Sequence, residues 1–368
     1  MRVLFAGGGT GGHLYPGLAI ARAMKRLSAE VDPFFVGARR GIEKNVLPET
    51  EFPYDLLDLH PLYRSRPWEN WKTIRGAVSA WSRLGRIVQT QRPAVFVGTG
   101  GYASGLALAY ARLYGIPYIV QEQNSFPGLT TRFFSKHARQ VHLGFPEAAL
   151  RLKRGPDTQV MDTGNPIEPP PAILPDRAVS RARWGFPTAG GRVMLVYGGS
   201  QGSKAINDVV AAWIRGGIPE GLFIIWATGQ KTYDDYIPLE NHRVRIKPYL
   251  SPVSEAYSAA DFALSRGGAM ATAELCAWGI PPIIVPLPTA AADHQTANAR
   301  ALSSAGAGEH IPQSVLSVES LDAAVRRILD VPGLLEARSR AVLDRARPRA
   351  AETIARSILS LTPIKLSS

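Results

Sequence analysis

Cysteine is nearly absent. Of 368 residues only Cys276 carries a thiol, which excludes a disulfide framework and a thiolate metal cluster and suits a reducing cytoplasm. Long apolar runs are missing too: no segment approaches the ~20 residues a membrane-crossing helix needs. The opening Met1-Arg2-Val3-Leu4-Phe5-Ala6 meets glycine too soon to be a signal peptide. The expectation is a chain that is soluble, or that sits on a membrane without crossing it. Adjacent acids occur once, at Asp234-Asp235 after the polar Gln230-Lys231-Thr232-Tyr233. That pair reads as solvent-facing, so no metal site is expected. No helix-turn-helix, zinc-finger or aromatic RNA-binding signature accompanies the basic charge, and nucleic acid is not expected as a partner.

What is present is enough apolar residue, 45%, for two cores of ordinary size. The formal charge of +12 is uneven: residues 1–163 carry 21 Lys and Arg against 12 Asp and Glu, the remainder 21 against 18. A basic first half suits anionic partners such as lipid headgroups or a diphosphate. Strand-like and helix-like runs alternate throughout, the pattern of parallel sheets covered by helices on both faces. Strands are expected near 2–6, 33–37, 54–57, 94–98, 118–121 and 141–143, then 192–197, 222–227, 244–247, 261–265 and 282–286. The proline-rich Gly164-Asn165-Pro166-Ile167-Glu168-Pro169-Pro170-Pro171 marks a domain boundary near residue 164. The tail from Ala341 to Leu359 reads as a helix bent at Pro348.

Four glycine-rich turns carry the most information. They are Gly7-Gly8-Gly9-Thr10-Gly11-Gly12-His13, Gly98-Thr99-Gly100-Gly101-Tyr102, Gly198-Gly199-Ser200-Gln201-Gly202-Ser203 and Arg266-Gly267-Gly268-Ala269. Each follows a strand-like run and precedes a helix-like one, where backbone N–H groups and the helix dipole favour an anion. Doubly wound domains hold ligands at the carboxyl ends of their strands. Two such domains facing across a cleft would bring these turns together around one or two phosphate-bearing ligands.

The first turn contains G-x-G-x-x-G at Gly7, Gly9 and Gly12, so a dinucleotide oxidoreductase has to be weighed. That fingerprint wants an acid at the end of the second strand. This strand ends Val36-Gly37-Ala38-Arg39-Arg40 instead. Arginines suit a 2′-phosphate, so an NADP version survives, but it leaves the second-half turns unexplained.

The longer string Gly7-Gly8-Gly9-Thr10-Gly11-Gly12-His13-Leu14-Tyr15-Pro16-Gly17-Leu18-Ala19 resembles the first glycine loop of the MurG family, which converts lipid I to lipid II in peptidoglycan synthesis. The resemblance continues through Gly98–Gly105, Gln121-Glu122-Gln123-Asn124, Thr163-Gly164-Asn165-Pro166, Gly198–Gly202, Ser265–Ala269 with Glu274, and Asp293-His294-Gln295-Thr296-Ala297-Asn298-Ala299. It implies an α/β chain of the GT-B fold, with two Rossmann-like doubly wound domains. Residues 1–163, joined by the tail 341–368, would bind the acceptor and the membrane; residues 164–340 would bind UDP-N-acetylglucosamine.

The implied reaction is inverting transfer of N-acetylglucosamine to the 4-hydroxyl of the muramoyl sugar of lipid I. By the same resemblance, Thr10, Gly11, Gly12, Asn124, Ser200, Leu250, Ala269, Met270, Glu274 and Gln295 bind the donor. Leu250 would meet the uracil, Glu274 the ribose, and Asn124 and Gln295 the sugar. Gly9, Gly100, Gly101 and Tyr102 would take the acceptor diphosphate. His13 is the first candidate for the base, since a ring of ordinary pKa near ~6.5 at a helix start suits proton transfer; its other reading is that it orients the loop. Glu122 is the alternative base, and Tyr102 would orient the acceptor. No cofactor is implied beyond magnesium as a diphosphate counter-ion. The expected partners are UDP-N-acetylglucosamine, lipid I, an anionic membrane surface and other cell-wall synthesis proteins. The expected location is peripheral, on the cytoplasmic face of the bacterial plasma membrane.

Two positions depart from the family pattern: Glu168 stands where relatives often carry arginine, and His294 where they carry glutamine. Other readings stay open, namely transfer to another lipid or small aglycone, and a non-catalytic nucleotide-sugar-binding subunit. Finally, Trp71, Ile74, Val78, Trp81, Leu84 and Val88 recur at helical spacing opposite Lys72, Arg75, Arg83 and Arg86. This stripe either packs against its own domain or, with Leu62, Tyr63 and Trp68, engages anionic lipid.

Overall fold

The computed structural model describes residues 1–59, 70–199 and 201–361, and only the backbone of 70–75. Ser200, Leu62, Tyr63 and Trp68 lie outside the described residues, as do the side chains of Trp71 and Ile74. The chain forms two compact units, Met1–Ile167 with the chain from Arg349 onward, and Glu168–Pro348.

In the first unit, β1 (Arg2–Ala6), β2 (Asp32–Ala38), β3 (Tyr54–Leu57), β4 (Val95–Gly98), β5 (Tyr118–Glu122), β6 (Gln140–Leu143) and β7 (Gln159–Asp162) alternate with helices. The helices are α1 (Gly11–Leu27), α2 (Glu43–Val46), α3 (Asn70–Gln91), α4 (Gly101–Leu113) and α5 (Leu129–Phe134). The strands build a parallel sheet in the order β3-β2-β1-β4-β5-β6-β7. Its apolar runs are buried on both faces, and the two-residue strand period sorts them. Leu4, Ala6, Phe96 and Val120 pack with Leu84, Ala103, Ala107 and Leu108 of α3 and α4. Val3, Phe5, Val97 and Ile119 pack with Leu14, Leu18 and Ala21 of α1.

The second unit contains β8 (Arg192–Tyr197), β9 (Leu222–Ala227), β10 (Val244–Lys247), β11 (Phe262–Ser265), β12 (Pro282–Ile284) and β13 (Glu309–His310). Its helices are α6 (Arg177–Arg183), α7 (Lys204–Gly216), α8 (Tyr233–Tyr236), α9 (Ser254–Ala259), α10 (Ala269–Ala277), α11 (His294–Ser304), α12 (Val318–Asp330) and α13 (Leu334–Arg345). The sheet is again parallel, in the order β10-β9-β8-β11-β12-β13. Met194, Val196 and Trp226 face α7 and α12 through Ile206, Trp213 and Leu321. Val193, Leu195 and Ile225 face α9 and α10 through Ala256, Tyr257 and Leu275.

Two details differ from the sequence reading. β7 and β13 were not foreseen, because edge strands such as Gln159-Val160-Met161-Asp162 lack a buried apolar run. The tail is two helices rather than one bent helix: α13 ends at Arg345 inside the second unit, and the chain restarts as α14 (Ala350–Leu359) in the first. Pro348 biases its preceding residue away from helix, which separates the two. Ile354 and Ile358 then bury against the α1 face of the first sheet. The units divide at Ile167/Glu168, and the Asn165 side chain bonds to Gln121 and Gln123 of the first unit.

The α3 stripe divides as well. Leu84 is buried and Trp81 and Val88 pack against the core, whereas Val78 is 64% exposed.

Candidate active site

In each sheet the strand order reverses direction at one pair of neighbours, β1 beside β4 and β8 beside β11. The crevice at the carboxyl ends of such a pair is where doubly wound folds bind ligands. All four glycine turns spring from those four strand ends, leading into α1, α4, α7 and α10. None of these helices has an acid in its first turn, and α1, α4 and α10 lack a side-chain cap. The positive dipole ends of α1, α4 and α10 therefore face no capping side chain and favour an anion.

In the first unit, His13 is the third residue of α1. Its Nδ1 lies 3.2 Å from the Gly8 carbonyl and 3.3 Å from Thr10 Oγ1. A carbonyl only accepts, so Nδ1 donates and the ring lone pair falls on Nε2. Gly100 explains why the second turn must be glycine here. Its φ is +103°, and a Cβ would stand 2.7 Å from His13 Cδ2 and 3.0 Å from Nε2. Thr99 Oγ1 donates to the His13 carbonyl at 2.7 Å, so the two turns hold each other. The ring of Tyr102 packs over Gly9, with its Cε1 3.0 Å from where a Cβ would be.

Two expected site residues already have partners inside the first unit. The Gly9 N–H, assigned to the acceptor diphosphate, donates instead to Oε2 of buried Glu43 at 3.0 Å. Glu43 Oε1 accepts from Ala38 N at 2.9 Å, so an internal carboxylate already occupies that amide. Glu122, the alternative base, is buried and accepts from Asn124 N at 3.0 Å and Gly128 N at 2.9 Å. Through these bonds it shapes the 123–128 loop and orients Asn124. Gln123 Nε2 ties this loop to the second turn by donating to the Thr99 carbonyl at 2.8 Å. Asn165 Nδ2 supports it from behind through the Gln123 carbonyl at 2.9 Å.

In the second unit Gln295 lines one cavity, and Leu250 and Glu274 line another. The first is lined by Tyr197, Gly198, Gly199, Gly202, Ser203, Arg266, Gly268 and Gln295. Ser203 caps α7 by accepting from Ile206 N. Arg266, whose role the sequence reading missed, donates to Ser203 Oγ at 2.7 Å and to the Val285 and Pro286 carbonyls at 3.0 Å. Its signal was the lone cation inside a glycine turn. Burial lowers its pKa, and the three bonds fix the guanidinium in the wall of this cavity. Gln295 Oε1 accepts from Leu287 N at 3.0 Å, and Asn298 Nδ2 holds the Gly267 carbonyl at 3.0 Å. The first bond docks α11 onto the loop after β12 and the second docks it onto the fourth turn. Ala269 and Met270 open α10 after the N-cap Gly268.

The second cavity, about 800 Å³, is lined by Leu250, Ser251, Tyr257, Glu274 and Trp278, with Glu168 and Arg183 also in its wall. Glu274 Oε2 accepts from Tyr257 Oη at 2.7 Å. Burial pushes the Glu274 carboxyl above its ordinary value, and the Tyr257 bond opposes that. The cavity has the size of a nucleoside site, with apolar walls at Leu250, Val253 and Trp278 and three carboxylates in its lining, of which Glu274 is the one bonded to Tyr257. Among the described residues no three His, Cys, Asp or Glu side chains converge as a metal site.

Comparison with known proteins agrees with this arrangement. The glycosyltransferase family 28 N-terminal domain matches residues 3–143, and the family 28 C-terminal domain matches residues 193–354. A Salinibacter ruber protein named UDP-N-acetylglucosamine--N-acetylmuramyl-(pentapeptide) pyrophosphoryl-undecaprenol N-acetylglucosamine transferase is 38% identical, over 98% of this chain and 96% of its own length. One of the same name from Desulforamulus reducens is 36% identical over 99% of each. The crystal structure of Acinetobacter baumannii MurG superimposes with a TM-score of 0.77 at 26% identity, covering 98% of this chain and 99% of that one. Given such similarity along nearly its whole length, and two Rossmann-like units of the GT-B type, the chain belongs to the MurG family within glycosyltransferase family 28.

Proposed function

We propose that this chain transfers N-acetylglucosamine from UDP-N-acetylglucosamine to the 4-hydroxyl of the muramoyl sugar of lipid I, forming lipid II for peptidoglycan synthesis. The observation that carries the reading is the second unit's pairing of a glycine-turn cavity holding Arg266 with a nucleoside-sized cavity edged by Glu274. Full-length similarity to proteins named for this transfer supports the same conclusion.

In this reading the acceptor hydroxyl gives its proton to His13 Nε2 as its oxygen attacks the anomeric carbon. The bond from that carbon to the β-phosphate oxygen breaks, UDP takes the electron pair, and configuration inverts. Amides of the 198–203 turn, the start of α10 and the Arg266 guanidinium stabilise the charge that grows on the diphosphate. Glu274 accepts from ribose hydroxyls, and Gln295 and Asn124 hold the sugar. The chemistry asks for no metal, with magnesium serving as a counter-ion; unchanged turnover in chelator would agree, and loss of turnover would overturn that point.

We read the first unit as the part that meets the membrane. No helix among the described residues is long and apolar enough to cross one. Support comes from exposed Val78, Leu113, Tyr114 and Phe133 on α3, the end of α4, and α5, elements that pack side by side. Arg112, Lys136, His137 and Arg139 line a cavity on those same elements and the segment after α5, and none of the four forms an ion pair among the described residues. Such a face suits anionic headgroups at the cytoplasmic surface. Co-sedimentation with anionic vesicles at low salt, lost with neutral ones, is the expected result; no pelleting with either refutes it.

Calorimetric titration tests the donor site. UDP-N-acetylglucosamine should bind at least tenfold more tightly than UDP-N-acetylgalactosamine or UDP-glucose, and equal affinities would remove the sugar assignment. In turnover assays with lipid I, His13→Ala should lose ~100-fold or more in kcat. Near-normal turnover would take His13 out of the base role.

A further inference from the structure

The hydroxyl of Tyr257 is sealed inside the second unit, yet the chemistry described so far gives it no task. Tyr257 lies on α9 and is 3% exposed, with its ring against Trp278 at 5.7 Å between centroids. Its Oη donates to Glu274 Oε2 at 2.7 Å, so it must accept on its other side. Tyr197 Oη stands 3.5 Å away and fills that place. The three groups form a chain, Tyr197 to Tyr257 to Glu274, in which each hydroxyl has one direction to give its proton.

The two ends of this chain lie in different cavities. Tyr197 lines the glycine-turn cavity and is the last residue of β8 before Gly198. Glu274 lines the nucleoside-sized cavity with Leu250 and Trp278. Among the described residues, the Tyr257 bond is the one hydrogen bond the Glu274 carboxylate makes. Oε2 is therefore held and Oε1 is left to the cavity. A carboxylate that must accept from two vicinal hydroxyls needs its plane fixed, because a rotating group spends part of its time misaligned.

We propose that Tyr257 is a positioning residue for nucleotide selection: its hydroxyl orients Glu274 so that the carboxylate recognises the vicinal ribose hydroxyls and rejects sugars lacking them. This rests on the reading of Glu274 as the ribose ligand. Tyr257 also favours the charged form of a carboxyl that burial would otherwise neutralise. Through Tyr197 the same chain ties the ribose end of the site to the strand from which the phosphate-binding turn emerges.

The test uses the full chain and its Tyr257→Phe variant, which keeps the ring on Trp278 and removes only the oxygen. Calorimetry with UDP and 2′,3′-dideoxy-UDP measures selection directly. The expected result is that Tyr257→Phe weakens UDP about tenfold and leaves dideoxy-UDP unchanged, so discrimination shrinks. In a Glu274→Ala background, Tyr257→Phe should have no further effect on UDP affinity. With UDP-N-acetylglucosamine as substrate, KM should rise about tenfold while kcat holds within twofold. Equal weakening of UDP and dideoxy-UDP would mean a merely structural hydroxyl and would overturn the proposal, as would additive effects with Glu274→Ala. If the unmodified chain binds UDP but does not distinguish it from dideoxy-UDP, the ribose role of Glu274 falls and the proposal falls with it. Failure to bind UDP at all would instead bring down the donor-site reading itself.

Discussion

His142 offers a quantitative test of the first unit's packing. It sits on β6 with no exposed surface, paired to Gln121 of β5 and Met161 of β7 in the sheet register. Its Nε2 meets Gln140 Oε1 at 3.1 Å, while Nδ1 is buried without a partner. Burial favours the neutral ring and pushes its pKa from 6.5 down to about 4. Between those two values the unfolded chain binds a proton that the native chain refuses, so stability rises with pH across this window and is complete above it. The whole difference amounts to about 3 kcal/mol lost by the time the pH has fallen to ~4. For a unit of this size that is roughly 6–12 °C in Tm. The perturbation is His142→Leu, which is neutral at every pH. Orphaning Gln140 Oε1 costs the same throughout and drops out of the slope. Urea unfolding of both proteins from pH 7.5 to 4.5 should show the wild type falling more steeply by up to one proton. Carboxylates titrate alike in the two and cancel. Parallel pH profiles for wild type and His142→Leu would refute the reasoning, because they would mean that the ring takes up its proton without cost in the native state.

The remaining predictions concern the turns. Glu43→Gln keeps one acceptor for the Ala38 and Gly9 amides but sets an NH2 against the other, which should cost about 2 kcal/mol in urea unfolding; a change under 0.5 kcal/mol would contradict it. At Gly199, φ is +87° and no described atom lies within 4 Å of a Cβ, whereas at Gly202, φ +73°, a Cβ would run into the Thr228 carbonyl and lie 2.9 Å from Gly229 Cα. Gly199→Ala should therefore show backbone strain of about 1–2 kcal/mol alone, and Gly202→Ala should also weaken UDP by tenfold or more; equal effects on UDP would show that the turn tolerates the displacement. Arg266→Met should weaken UDP about 100-fold in calorimetry and leave uridine unaffected. Loss of both ligands alike would point to damage in the fold instead of a missing phosphate partner.

The parts of this molecule that were legible in its sequence are those written in consecutive residues. Val3-Leu4-Phe5-Ala6 and Val193-Met194-Leu195-Val196-Tyr197 are apolar on successive positions because both faces of their strands are covered, and the glycine turns are legible because backbone geometry acts locally. The partners of the site residues were not legible. Glu43 reaches Gly9 across 34 positions, Tyr257 reaches Glu274 across 17, and Arg266 reaches Ser203 across 63. No periodicity links residues that far apart; only the assembled sheet brings them together. Glu274 could be singled out, yet the hydroxyl that orients it could not. One unread signal was present. Gln140 and His142 put polar side chains at alternate positions of a strand whose neighbours Val141 and Leu143 are fully apolar and buried. In a sheet covered on both faces, two polar groups on one face need an internal acceptor. Gln140 Nε2 finds it at the Ser357 carbonyl of α14, at 3.0 Å. The polar pair in β6 thus marks where α14 returns, a destination that the apolar spacing of that helix alone could not name.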